Sequence, residues 1–128
     1  MIPRSPTFPL HPESGKPIVK WGHLSKGEAL PIPWGCGVGL ATGARSGCVV
    51  LDLDLKGGRD GIRSLGKLLG VPFGAGGWAE LADLVRTGLI PETTIVRTRS
   101  GGAHVYFAHP AHPVRNSASK LGEGIDLR

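Results

Sequence analysis

The sequence predicts an α+β domain, with a mainly antiparallel or mixed sheet and helices packed on one of its faces. Short apolar or alternating runs recur at residues 38–42, 48–54, 93–98, 103–108 and 124–127, with the length and texture of strands. Between them, residues 60–69 and 78–87 space their apolar residues as one face of a helix does. The 21 glycines and 11 prolines cluster at turns and loops, which suits a sheet with tight connections better than a helix bundle. A chain of 128 residues fits one domain with a single modest core.

Taken in order, residues 1–34 read as an irregular arm of that domain. Pro3, Pro6, Pro9, Pro12, Pro17, Pro31 and Pro33 interrupt it, each fixing φ and removing a backbone donor. Residues 35–128 read as the core. The runs at 38–42 and 48–54 are two strands joined by Gly43-Ala44-Arg45-Ser46-Gly47, a tight connection. Ile62, Leu65 and Leu69 stand at i, i+3 and i+7 of a short helix. Trp78, Leu81, Ala82, Val85 and Leu89 form the stripe of a clearer one, which Gly88 stops. Residues 93–98 and 103–108 make a hairpin around Ser100-Gly101-Gly102. A short strand at 124–127 closes the order, and no internal repeat is visible.

Composition narrows the functional classes. With 40% apolar residues the chain is neither disordered nor membrane-like, and no apolar run approaches the roughly 20 residues of a span. The proline-rich, polar beginning does not resemble a signal peptide, so a cytoplasmic protein without a membrane partner is expected. A net charge of +5 gives a mild preference for polyanions. Three Phe, one Tyr and three Trp are too few for a large stacking platform. Cys36 and Cys48 lack CxxC spacing and read as buried, reduced thiols.

The run Cys48-Val49-Val50-Leu51-Asp52-Leu53-Asp54 carries the most chemistry. Side chains alternate along a strand, so Asp52 and Asp54 share a face while Leu51 and Leu53 take the other. Two carboxylates about 6–7 Å apart along a strand repel. A divalent ion relieves that repulsion, whereas at an exposed strand end the pair would merely solubilise. Arg97-Thr98-Arg99-Ser100-Gly101-Gly102-Ala103-His104 supplies company. Its glycines allow a tight turn, its guanidinium groups suit phosphate, and His104 follows with Tyr106 and Ala108 on its face. If the last strand lies beside Asp52 and Asp54, Asp126 adds a third carboxylate, which suits two-metal nucleotidyl transfer.

Together these segments resemble a known family. FPLHPxxxKP, GVGLATGxxSGxVVLDLD, TxxxRTxSGGxHxYFxHP and VRNSxxxLGxGIDLR resemble the primase–polymerase domain of phage and plasmid replication proteins, in the archaeo-eukaryotic primase superfamily. The likeness runs from Phe8 to Arg128, nearly the whole chain. It implies that Asp52, Asp54 and Asp126 hold two divalent ions, Mg²⁺ or Mn²⁺. It implies that His104 contacts the phosphates of a nucleoside triphosphate on a turn shaped by Ser100, Gly101 and Gly102. Lys16, Arg97, Arg115 and Arg128 become candidate contacts to phosphate or template. The implied partners are nucleoside triphosphates, single-stranded template and primer DNA, and a replicative helicase on another chain. Relative to that family the chain is read as truncated at both ends, with the segment before GVGLATG shortened to residues 21–34.

Other motifs carry less. Gly61-Ile62-Arg63-Ser64-Leu65-Gly66-Lys67-Leu68 satisfies GxxxxGK but has Leu where a metal-binding hydroxyl belongs, and it reads as helix. The glycines at 35, 37, 39 and 43 do not form GxGxxG. His109 and His112 read as loop. Two rivals stand beside nucleotidyl transfer: a metal-dependent phosphodiesterase or nuclease using the same acids, and a non-catalytic nucleotide- or DNA-binding module.

Overall fold

A computed structural model describes residues 6–20, 22, 29–43, 47–109 and 115–128. The chain divides into two compact units, Met1–Cys48 with Ala108–Pro113, and Val49–Phe107 with Val114–Arg128. In the first unit β1 (Thr7–Leu10) pairs antiparallel with β2 (Gly37–Leu40). The stretch expected to be irregular therefore contains a strand. Pro9 is tolerated because the second edge of β1 makes only isolated bridges, Thr7 to Ala29 and Leu10 to Pro17, an edge setting in which a missing N–H breaks no continuous ladder. Phe8 faces Gly39, where a Cβ would lie 2.4 Å from the Phe8 ring; the ring fills the room that glycine leaves. Phe8 and Ala41 are the buried centre of this unit, with Leu10 and Leu30 against them.

The second unit is the α+β layer pair that the sequence predicts. Its strands are β3 (Cys48–Leu53), β4 (Ile95–Arg97), β5 (Ala103–Ala108), β6 (Ser117–Ala118) and β7 (Ile125–Leu127). They lie in the order β4-β5-β3-β7-β6, with β3–β7, β4–β5 and β6–β7 antiparallel. The acid-bearing β3 is thus central. Two helices, α1 (Gly61–Leu68) and α2 (Gly77–Arg86), cover one face. Between the layers Leu53, Ala103, Val105 and Ile125 meet Ile62, Leu65, Leu81, Leu84 and Ile90, all buried.

The helices begin and end for local reasons. Asp60 caps α1, its Oδ1 accepting from the Arg63 N–H at 2.8 Å, and Gly88 follows α2 at φ +78°, the left-handed conformation that stops a helix. The buried face of α2 differs from the expected stripe: Leu81, Leu84 and Glu80 are buried, whereas Ala82 and Leu89 are exposed. The reason is a clasp between helices. Glu80, 2% exposed, accepts from Arg63 Nη1 at 2.7 Å and from the Gly76 N–H at 2.8 Å. Asp60 Oδ2 accepts from the Gly77 N–H at 2.9 Å. The GxxxxGK match lies in α1, and its Gly66 packs on this clasp.

Cys48 is buried, but Cys36 is half-exposed, unlike the sequence reading; neither is in a disulfide. The expected turn at 43–47 shows a single antiparallel bridge, Gly43 to Cys48; its residues 44–46, His112 and most of residues 21–28 lie outside the described residues. Among the described residues no helix is long and apolar enough to cross a membrane.

Candidate active site

The open face of the five-stranded sheet carries the charged residues. Leu53 pairs with Ile125 in the core, so the next pair, Asp52 and Asp126, must face away from it, directly opposite each other. Opposed carboxylates on neighbouring strands are only about 4.5–5.5 Å apart at Cβ, an unfavourable pairing in the absence of a cation. On the far side of β3, His104 of β5 brings Nε2 to 3.4 Å from Asp52 Oδ1. Asp54 sits just beyond β3, where the backbone fixes it. Its N–H donates to Gly124 O and its carbonyl accepts from the Gly61 N–H, both at 2.8 Å. No side chain fits there: a Cβ on Gly61 would be 2.3 Å from Gly124 O and 2.9 Å from Asp54 N.

An open cleft of about 600 Å³ gathers these groups, lined by Asp52, Asp54, Lys56, Thr98, Arg99, Ser100, His104, Asp126 and Arg128. The acids are held by cations of the chain itself. Arg128 Nη2 lies 3.9 Å from Asp52 Oδ2 and 3.7 Å from Asp126 Oδ2. Arg59 Nη2 is 3.5 Å from Asp54, and Asp126 Oδ1 also accepts from the Ser119 N–H at 3.1 Å. The His104 hydrogen bond holds the Asp52 carboxyl below its ordinary pKa, reinforced by the charges of His104, Arg128 and Lys56 and opposed by partial burial.

The hairpin turn forms the remaining wall. The Thr98 N–H donates to Gly102 O at 2.9 Å and the Gly101 N–H to Thr98 O at 3.0 Å. Gly101 has φ +92°, and a Cβ on Gly102 would meet Leu53 O at 2.4 Å. Two glycines therefore let the turn press against β3 with Arg99 and Ser100 lining the cleft.

Most of the expected site residues come together: Asp52, Asp54, Asp126, His104, Ser100 and Arg128 line the cleft, while Gly101 and Gly102 shape its turn. Three do not join them. Arg97 pairs with the core-facing Ala103, so it lies on the helix side of β4, its guanidinium 4.6 Å from the Trp78 ring centre. Arg115 is exposed outside the cleft lining. Lys16 is exposed in the other unit. Arg99 and Thr98 take the place expected for Arg97, and Lys56 is a residue the sequence reading missed. The signal for Lys56 was present, since it continues the alternation of Asp52 and Asp54.

The profile of the family described as bifunctional DNA primase/polymerase, N-terminal, matches residues 6–128. The chain belongs to this family. Neither a curated protein nor a solved structure matches it.

For a primase–polymerase domain, the question is whether these residues suit divalent ions. Hard carboxylate oxygens are the donors Mg²⁺ and Mn²⁺ favour. The directly opposed Asp52 and Asp126, with Asp54 in the same cleft, form a charge cluster that a cation would relieve. Among the described residues no three His, Cys, Asp or Glu are already gathered at ion-holding spacing. The carboxylates instead lean toward Arg59, His104 and Arg128. The donor set fits such ions; loading would require these side chains to exchange their present cations.

Proposed function

We propose that this domain catalyses metal-dependent nucleotidyl transfer in DNA replication, as primer synthesis, DNA polymerisation or both. The observation that carries the reading is the pairing of Asp52 with Asp126 across the sheet, in one cleft with Asp54, His104 and a cationic rim. Asp52, Asp54 and Asp126 would hold the two ions, Mg²⁺ or Mn²⁺. Bound there, divalent ions make a 3′-hydroxyl more acidic and neutralise a triphosphate and its leaving group.

In the reaction, a primer 3′-oxygen attacks the α-phosphorus of a nucleoside triphosphate. A new phosphodiester bond forms, the α–β bridging bond breaks, and pyrophosphate leaves with its electron pair. The chain's own groups divide the remaining work. Arg99, Lys56 and Arg128 offer cationic groups to phosphate oxygens. Ser100 adds a hydroxyl from the turn. His104, oriented by Asp52, presents its imidazole to the triphosphate. Single-stranded template and primer DNA is the second substrate, a replicative helicase on another chain is the proposed partner, and the setting is phage or plasmid replication in the cytoplasm.

The test is template-dependent incorporation of labelled deoxynucleotides with Mn²⁺ or Mg²⁺. Asp52→Ala or Asp54→Ala abolishes incorporation while leaving the circular dichroism spectrum unchanged. Wild-type incorporation by either variant would remove this site from consideration. DNA degradation without incorporation would favour a nuclease, and nucleotide binding without product a non-catalytic module.

A further inference from the structure

Trp78 is not in the cleft, yet it touches the turn that forms one wall of it. Its indole, half-buried on α2 against the core, donates from Nε1 to Gly101 O at 2.8 Å. The other face of the same contact is Arg97, whose guanidinium stacks over the ring at 4.6 Å. Gly101, at φ +92°, has no Cβ to restrict its peptide groups, so the turn could rotate its outer carbonyl at little steric cost. The indole N–H fixes that carbonyl in one direction. Gly102 is blocked from the opposite side by Leu53 O, 2.4 Å from where its Cβ would be. Arg99 and Ser100, immediately before this clamped pair, line the cleft.

We propose that Trp78, braced by Arg97, is a positioning residue for triphosphate binding, holding the 98–102 turn so that Arg99 and Ser100 face the phosphates. This rests on the nucleotidyl-transfer reading of the cleft. It assigns Arg97 a role through Trp78 instead of a direct phosphate contact. Asp52 and Asp126 are held by the β3–β7 ladder and Asp54 by its own backbone bonds to Gly124 and Gly61, none of which involves the indole, so the effect is confined to nucleotide affinity and leaves ion binding alone.

Trp78→Phe keeps an aromatic ring beneath Arg97 and deletes the N–H. Binding of dATP with Mn²⁺, followed by calorimetry, should weaken about threefold to tenfold, the range expected for one lost hydrogen bond. KM for dATP rises by the same factor, kcat stays within about twofold, and Mn²⁺ alone, followed by electron paramagnetic resonance, binds as in the wild type. Arg97→Gln, a change on an exposed side chain, should weaken dATP binding about twofold and serves if Trp78→Phe does not fold. Wild-type dATP affinity in a folded Trp78→Phe, or in Arg97→Gln where that variant stands alone, overturns the proposal. Equal loss of Mn²⁺ and dATP binding also overturns it, because the disturbance then reaches the acids. A wild-type protein that binds no dATP sinks the nucleotidyl-transfer reading, and this proposal with it.

Discussion

Replacing Gly66 by alanine would put a Cβ 1.8 Å from Glu80 Oε2, well inside the 3.0 Å that real Cβ atoms keep. The carboxylate cannot simply withdraw. Gly74 confines it on another side, where a Cβ would lie 2.2 Å from Glu80 Cδ, and its oxygens accept from Arg63 Nη1 and the Gly76 N–H. Retreat by more than an ångström breaks one or both of these bonds, each worth roughly 1.5–3 kcal/mol when one partner is charged. Alanine recovers about 1 kcal/mol of helix propensity. The net expectation is a loss of roughly 0.5–2 kcal/mol if one bond breaks and roughly 2–5 kcal/mol if both do, read as a shifted urea midpoint in circular dichroism. The decisive comparison is the same substitution in a Glu80→Ala background, where the carboxylate is gone and the nearest remaining neighbour is the movable end of Arg63, its Nη1 3.1 Å from that Cβ. There Gly66→Ala should be neutral or stabilising by up to about 1 kcal/mol. An unshifted midpoint for the single variant, or an equal cost with and without Glu80, would refute the reasoning.

Three further outcomes follow from the site. Gly61→Ala forces its new methyl against Gly124 O and Asp54 N; thermal denaturation should show a loss of about 1–3 kcal/mol, and incorporation should fall with the displaced Asp54, so wild-type incorporation would count against that backbone clamp. Arg128→Gln removes the cation shared by Asp52 and Asp126; Mn²⁺ alone should then bind about fivefold tighter, the equivalent of about 1 kcal/mol for charges about 4 Å apart in water, and equal or weaker binding in spin resonance would contradict it. Because folding depresses the Asp52 pKa, its contribution to stability is present above the unfolded value of about 4 and is lost as pH falls through the lower folded value. His104→Asn should shrink that acid-side loss in urea titrations at several pH values, and parallel curves would show that the imidazole does not hold Asp52.

The parts legible in the sequence are those set by local periodicity. Alternation placed Asp52 and Asp54 on one face with Leu53 in the core, and the i, i+3 spacing of Ile62 and Leu65 located α1. Asp126 could be given a condition but not a position, since its register against Asp52 depends on pairing over more than seventy residues. Arg97 and Arg99 were indistinguishable for a different reason: two apart, they share a face of any strand that holds both, but β4 ends at Arg97, which the observed register sends to Trp78, and Arg99 falls in the turn. The clasp was invisible because Glu80 is charged, and no periodicity rule buries a carboxylate. Proline density hid β1, whose pairing needs β2 nearly thirty residues away.

The strand order has a mechanical consequence for the cleft. Asp52 and Asp126 belong to adjoining interior strands whose ladder bonds lock their spacing, whereas Arg99 and Ser100 ride on a hairpin tip and Lys56 on a loop. One half of the cavity is set by strand pairing, the other by a turn held through Gly101 O and by a loop. In the proposed nucleotidyl transfer, the ladder would keep the spacing of the ion-binding acids while the turn and the loop meet the triphosphate.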